Sequence, residues 1–207
     1  MSTIILVRHG ETDWNRSGQI MGERPVPLNR QGEAQAHRLA ALLKDRSVHT
    51  IYSSPAVRTL QTAEILASVL QMPVATDRGL TEIGVGQWEG RYWKDLADEM
   101  VRQNFYSNPV DARPPGGETL REVQARAVAA VERARADAVG SAGPILFVSH
   151  ADVVRAILAH YFRFDLQTVR QMRIDHASLT AFHINGDAVD LLCLNSTPDL
   201  DRLWQIG

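Results

Sequence analysis

Short apolar runs alternate with longer amphipathic stretches along most of this chain. Residues 4–7 and 145–148 are continuous apolar runs of four, the length of strands buried on both faces of a sheet. Between residues 29 and 44, apolar residues recur with the spacing of one helix face, at Ala36, Leu39, Ala40 and Leu43. This alternation predicts an α/β fold of three layers, α/β/α, with helices on both faces of a mostly parallel sheet.

The remaining elements are predicted in the same way, and all 207 residues are expected to form one domain. Strands are predicted at residues 4–7, 49–53, 73–76, 144–149, 178–184 and 188–194. Helices are predicted from Asn29 to 44, from a Ser54 N-cap to 70, near 93–103, at 119–139 and at 152–162. Asn185-Gly186 predicts a hairpin that adds an antiparallel edge to the sheet. Residues 84–118 are otherwise irregular, and a loop of that length usually carries function.

Chemically active side chains follow the predicted strands. Arg8 and His9 come directly after the first strand, Arg58 and Glu82 follow the next two, and His150 follows the fourth. Ligands of open α/β sheets bind beyond the carboxyl ends of the strands. We therefore expect these five side chains to meet at one edge of the sheet.

These residue types together suit phosphoryl transfer. Arginine forks match phosphate oxygens, histidines supply a nucleophile and a further donor, and a glutamate moves a proton. The set is complete for a covalent phosphohistidine, which divides one difficult displacement into two easier steps. Arg58 in the first turn of a helix opposes the helix dipole, which an anion bound there would explain. The alternatives are an ordinary polar turn around His9 and an exposed surface arginine at Arg58.

Composition narrows the class of protein. The net charge of −2 argues against a general nucleic-acid binder, and no apolar run reaches membrane-spanning length. Cys193 is the only cysteine, so an intrachain disulfide and a cysteine metal cluster are excluded. We expect a cytoplasmic protein whose partner is a small phosphorylated metabolite. A homodimer is expected only from the frequency of two-fold oligomers.

Several segments in order resemble the histidine phosphatase superfamily, which includes cofactor-dependent phosphoglycerate mutase. The segments are residues 6–12 (LVRHGET) with Trp14-Asn15, 52–55 (YSSP) with Arg58 and Thr62-Ala63, 82–84 with 88–90, 115–118 (PGGE) and 148–150 (VSH). Together they span residues 3–184. The opening motif alone is moderately specific, and the full set in this order is strongly so.

The resemblance implies a role for each residue that matches the family's motifs. His9 would attack the phosphorus, while Arg8, Arg58 and His150 would hold the phosphoryl oxygens. Glu82 would protonate the leaving oxygen and then activate the water that frees phosphate. The resemblance also places Thr12, Asn15, Gly22 and Ala151 in the substrate pocket, and it implies neither a metal nor another cofactor.

Two departures from the family pattern bear on substrate contacts. Ala151-Asp152 stands where many members have glycines, and Met21-Gly22 stands where Gln-Gly is frequent. The carboxylate of Asp152 has three possible positions at this stage: facing away, capping the following helix, or repelling a second anionic group of the substrate. Neither departure removes a proposed catalytic group.

The reaction itself remains open between phosphatase and mutase, because both share the phosphohistidine step. The shortness of residues 83–117 and of the tail after the last strand favours the phosphatase. A dianionic substrate near Glu82 would raise its pKa, so we expect a rate optimum on the acid side of neutral. The substrate stays open among sugar phosphates, phosphoglycerates, cobalamin-pathway intermediates and phosphoamino acids.

Two other classes of function compete with this interpretation. A metal-dependent hydrolase would use His9, His150 and Glu82, but two arginines there would repel a divalent cation. A non-catalytic sensor of a phosphorylated ligand would be favoured by the loss of a catalytic residue, and none is lost. The remaining histidines are interpreted as structural or exposed: His37, His49, His160, His176 and His183. Trp88 is assigned to the core, Trp93 and Tyr106 to core or lid, and Arg102 and Arg113 to the surface.

Overall fold

A computed structural model of the protein describes residues 2–96, 100–140 and 143–197. Its centre is a six-stranded sheet in the order β3-β2-β4-β1-β5-β6. The strands are β1 (Ser2–Arg8), β2 (Thr50–Ser53), β3 (Val74–Thr76), β4 (Ile145–Ser149), β5 (Leu179–Asn185) and β6 (Ala188–Ser196). The pairs among β1 to β4 are parallel, whereas β5 pairs antiparallel with both β1 and β6. The predicted parallel sheet with an antiparallel hairpin at its edge is confirmed.

Helices cover both faces of this sheet, as the alternation of elements predicts. They are α1 (Asp13–Ser17), α2 (Arg30–Leu43), α3 (Val57–Leu70), α4 (Met100–Ser107), α5 (Leu120–Asp137) and α6 (Ala151–Phe162). Ile4 and Leu6 of β1 pack with α5 and α6, and Ile5 and Val7 pack with α2 and α3. Successive side chains of β1 thus pack into the hydrophobic cores on opposite faces of the sheet. No helix in the described part of the chain is long and apolar enough to cross a membrane.

The predicted helices differ from the structure in three places. Helix α3 begins at Val57, after Ala56, and no side chain caps it, because the Ser54 hydroxyl pairs with His150 instead. The short helix α1 was not predicted, although Thr12 and Asn15 form a capping box at its start. The helix expected near residues 93–103 is a 3₁₀ turn, Trp93–Leu96, followed by α4. Residues 97–99 and the side chains of residues 100–102 and 106 lie outside the described part.

The parallel register brings the ends of three strands together. Arg8 is level with Ser149, so the next residues, His9 and His150, lie side by side. The backbone N–H of His9 donates to the Ser149 carbonyl at 2.9 Å, and that of Ser54 donates to Val148 at 3.0 Å. This edge of the sheet is where the sequence predicts the site.

The loop after β1 is fixed by close packing against the start of α2. A Cβ added at Gly10 would meet the carbonyl oxygen of Gly32 at 2.5 Å, so only glycine fits there. The Asn29 side chain accepts from the Gly32 N–H and donates to the Glu11 carboxylate. These contacts hold the backbone around His9 in place.

Candidate active site

His9 is buried, with only 2% of its surface exposed. Its Nδ1 lies 2.6 Å from the carbonyl oxygen of Gly10, which can only accept a hydrogen bond. The proton of the neutral ring therefore sits on Nδ1, and Nε2 carries the lone pair. Burial lowers the pKa of His9 well below its usual value, and the nearby charge of Arg58 lowers it further. At neutral pH this imidazole is uncharged, as a nucleophile must be.

His150 lies directly beside this imidazole. The two ring centroids are 5.3 Å apart, with the rings at 65° to each other. Nε2 of His150 lies 2.9 Å from the Ser54 hydroxyl oxygen, whereas its buried Nδ1 has no hydrogen-bond partner among the described residues. Burial also lowers the pKa of His150 well below its usual value. A buried polar atom without a partner is costly, so Nδ1 is a natural contact for a substrate oxygen.

Arg58 approaches the site from the first turn of α3. Its side chain is 1% exposed, which rules out the surface arginine considered above. One terminal nitrogen donates to the Gly22 carbonyl at 2.9 Å, and the other donates to the Arg24 backbone carbonyl at 3.4 Å. Its Nε is buried without a partner among the described residues. Burial lowers the pKa of Arg58, but the group stays a cation at neutral pH.

Arg8 is held by the segment that leads into β5. It donates to the Ile174 carbonyl at 2.6 Å, and its other terminal nitrogen lies 2.7 Å from Nε2 of His176. The His176 ring is 5.8 Å from the His9 ring, so His176 belongs to the site. The sequence interpretation of His176 as merely structural or exposed missed this position. Because β5 runs antiparallel to β1, the residues before β5 reach the edge that the residues after β1 reach.

Glu82 lies in the wall of a cavity together with Arg58. Burial and the neighbouring charge of Asp152 raise the pKa of Glu82 to about 7. The N–H of Ile83, which donates to the Glu82 carboxyl at 3.0 Å, and the two site arginines oppose this rise. The carboxyl group is therefore divided between its acid and base forms near neutral pH.

A second carboxylate and an arginine hold the segment that carries Glu82. Arg126 of α5 forms a two-point ion pair with Glu118, at 2.9 Å for both contacts. The same guanidinium donates to the backbone carbonyls of Gly79, Thr81 and Glu82. Glu118 also accepts from the Gly84 N–H at 2.8 Å. This explains why the PGGE segment matters, a role that its sequence alone did not reveal.

The cavity has a volume of about 190 Å³. Of the four predicted pocket residues, Asn15 and Gly22 line it. Thr12 is fully buried behind it, where its hydroxyl bonds with Asn15 and contacts the Met21 sulfur. Ala151 is half-buried at the first position of α6 and is not part of the described lining.

Asp152 faces the cavity, which answers the question of its orientation. The N-cap position of α6 is held by His150, so Asp152 lies in the first turn and is not the cap. Its carboxylate pairs with Arg155 at 2.9 Å and with Arg170 at 3.2 Å. The attraction of these arginines outweighs burial and lowers the pKa of Asp152.

The other assignments from the sequence divide between core and cavity. Trp88 is fully buried, as expected, and packs edge-to-face on Trp93 at 6.0 Å. Trp93 is half-buried and also lines the cavity, whereas the side chain of Tyr106 lies outside the described part. Arg113 is exposed and paired with Glu122, in agreement with a surface position. Within the described residues, no cluster of three or more histidine, cysteine or acidic side chains is placed to bind a metal ion.

Two buried histidines, the partly buried Arg8, the buried Arg58 and a carboxyl group of raised pKa meet at the edge of an α/β sheet, an arrangement typical of proteins that bind and transfer phosphate. The chain matches the histidine phosphatase superfamily (branch 1) over residues 4–197, and it belongs to that superfamily. The sequence resemblance to this family is thus confirmed.

Individual relatives carry names of both phosphatases and mutases. A protein of Shigella boydii serotype 18, named probable phosphoglycerate mutase GpmB, is 34% identical over 182 residues, which are 87% of this chain and 84% of the relative. The structure of Bacillus stearothermophilus YhfR is 28% identical, with a TM-score of 0.89 over 95% of this chain and 98% of that one. The alpha-ribazole phosphatase of Shigella flexneri is 30% identical, with a TM-score of 0.85 over 94% of this chain and 96% of that one.

Proposed function

We propose that this chain is a metal-independent phosphatase that hydrolyses small phosphomonoesters through a phosphohistidine at His9. The observation that carries the proposal is the Nδ1 contact of His9 with the Gly10 carbonyl, which leaves the lone pair on Nε2 of an uncharged, buried imidazole. Membership of the superfamily supports the same chemistry.

In the first step, the Nε2 lone pair of His9 attacks the phosphorus while the bond from phosphorus to the ester oxygen breaks. Arg8, Arg58 and His150 supply buried donors for the charge that spreads over the phosphoryl oxygens. The Glu82 carboxyl gives its proton to the departing oxygen, so the product leaves as a neutral alcohol. The enzyme is left with a bond between phosphorus and His9.

In the second step, Glu82 is a carboxylate and takes a proton from water as the water oxygen attacks the phosphorus. The bond from phosphorus to Nε2 breaks, inorganic phosphate departs, and both residues return to their starting forms. A pKa of about 7 suits a group that acts as acid and base in turn. None of these steps requires a metal ion.

A phosphoglycerate mutase is the second candidate, favoured by the name of the Shigella boydii relative. A mutase shares the first step but returns the phosphoryl group to another hydroxyl of a phosphoglycerate. The test is phosphate release from a panel of phosphomonoesters with chelator present and His9→Ala as the control. Chelator-resistant release that disappears in the variant supports the phosphatase, and interconversion of 3- and 2-phosphoglycerate without release would overturn it. If the chain turned over no compound and only bound them, the interpretation as a sensor would take its place.

A further inference from the structure

The lining of the cavity beside the proposed phosphoryl site is more apolar than polar. Ile20, Ile83, Val85, Trp93 and Phe105 line it. Its charged lining residues, within the described part, are Arg58, Glu82 and Asp152. The alcohol part of a bound phosphomonoester must lie against these groups, because the phosphoryl group occupies the edge near the two histidines.

Two further arginines lie next to this cavity, and each of them donates one terminal nitrogen to Asp152. Arg155 pairs with one carboxylate oxygen of Asp152 and donates through Nε to the Met172 carbonyl at 2.7 Å. Arg170 pairs with the other oxygen and donates to the Phe105 carbonyl at 2.7 Å. The Arg170 guanidinium also stacks on the Phe105 ring, 3.7 Å from its centroid. Each arginine is thus held in the cavity wall by a carboxylate oxygen and a backbone carbonyl.

This arrangement leaves a substrate carboxylate without a free cationic partner among the described lining residues. Arg58 is the one cation among the described lining residues, and it is needed for the phosphoryl group. A carboxylate placed against the apolar wall would lose its hydration without a compensating hydrogen bond. It would also approach the oxygen atoms of Asp152 and Glu82. An uncharged apolar or aromatic group loses nothing there and gains burial.

We propose that Asp152, by holding Arg155 and Arg170 in the wall, selects phosphomonoesters of uncharged, apolar or aromatic alcohols and excludes those that carry a carboxylate. This selectivity rests on the proposed phosphatase function and makes it more specific. It also argues against phosphoglycerates as the substrate class, and therefore against the mutase.

The test compares three substrates in wild type and two variants. Glycerol 3-phosphate and 3-phosphoglycerate differ only in a hydroxymethyl group against a carboxylate, and phenyl phosphate supplies the aromatic alcohol. We expect wild-type kcat/KM to fall in the order phenyl phosphate, glycerol 3-phosphate, 3-phosphoglycerate, with at least a tenfold gap between the last two. Asp152→Ala frees both arginines and should narrow that gap at least tenfold. Asp111→Ala breaks an exposed ion pair with Arg121 and should leave the gap unchanged.

If wild type turns over glycerol 3-phosphate and 3-phosphoglycerate with equal kcat/KM, or if Asp152→Ala leaves the ratio of these two values unchanged, the proposed selectivity is wrong. Neither result contradicts the proposed phosphatase function. If Asp152→Ala does not fold, Asp152→Asn takes its place, because it keeps the side-chain volume and removes the charge. Binding to His9→Ala is followed in parallel by tryptophan fluorescence, since Trp14 and Trp93 line the cavity. If the three compounds bind with the same order of preference but wild type turns over none of them, the proposed phosphatase function is wrong and the proposed selectivity is retained.

Discussion

The raised pKa of Glu82 predicts a pH effect that depends on the leaving group. A carboxyl group with a pKa of about 7 is about nine-tenths protonated at pH 6 and about one-tenth protonated at pH 8. If its proton must reach the departing oxygen, formation of the phosphoenzyme slows about tenfold over this range. An alkyl phosphate needs that proton because an alkoxide is a poor leaving group. A nitrophenyl phosphate hardly needs it.

The ratio of the two phosphorylation rates therefore isolates Glu82. Both substrates are phosphate monoesters whose own second ionisation lies near pH 6, so this titration largely cancels in the ratio. We expect the ratio of alkyl to nitrophenyl phosphate to fall about tenfold from pH 6 to pH 8. Rapid-quench measurement of the first turnover gives each rate without interference from hydrolysis of the intermediate.

Glu82→Gln provides the matched substitution, because glutamine keeps the size of the side chain but cannot give up a proton. We expect phosphorylation by an alkyl phosphate to slow by about 10²- to 10⁴-fold and phosphorylation by nitrophenyl phosphate by less than about tenfold. The pH dependence of the ratio should also disappear. Equal losses for both substrates, or a wild-type ratio that is flat or rises with pH, would refute the role of Glu82 as the acid.

Three further substitutions test the groups that position the site. Arg126→Met releases the segment that carries Glu82, and we expect alkyl phosphate turnover to fall about 10- to 100-fold in the same assay. Ser54→Ala removes the partner of His150, and we expect about a tenfold loss of kcat/KM in steady-state kinetics. His176→Ala removes a contact that orients Arg8, and we expect inhibition by inorganic phosphate to weaken about tenfold.

Controls separate these effects from general loss of structure. Arg133 lies on the same helix as Arg126 and forms an ion pair with Asp77. We expect Arg133→Met, which breaks this pair, to change turnover little. Wild-type kinetics in Arg126→Met would show that the segment holds its position without this guanidinium. Undiminished phosphate inhibition in His176→Ala would mean that Ile174 alone orients Arg8. Thermal unfolding of every variant shows whether a lost rate reflects a lost fold.

The site residues that could be predicted from the sequence are those that follow parallel strands. Arg8, His9 and His150 are reached by reading apolar strand runs to their ends, since parallel strands finish at one edge. His176 was not predicted as a site residue because it precedes an antiparallel strand, and its local sequence contains no pattern that indicates such a role. Seeing it requires knowing that β5 lies beside β1, which is a fact of topology.

Helix capping was the weaker guide. Ser54 before Pro55 has the pattern of a helix start, yet its hydroxyl bonds with His150 and α3 starts later. Thr12 was expected in the pocket from the family resemblance, but it caps a helix of one turn behind the cavity. At Ser54 a tertiary contact with His150 decided the use of the hydroxyl, whereas at Thr12 the local capping box with Asn15 decided it.

The central claim is that His9 carries the phosphoryl group during turnover. The direct measurement is mass spectrometry of enzyme mixed with a phosphomonoester and chelator, quenched in alkali during the first turnover because phosphohistidine is stable there. We expect one phosphoryl group on the peptide that contains His9, absent from His9→Ala and formed before phosphate is released. Steady phosphate release with no covalent label, or a label on another residue, would contradict it.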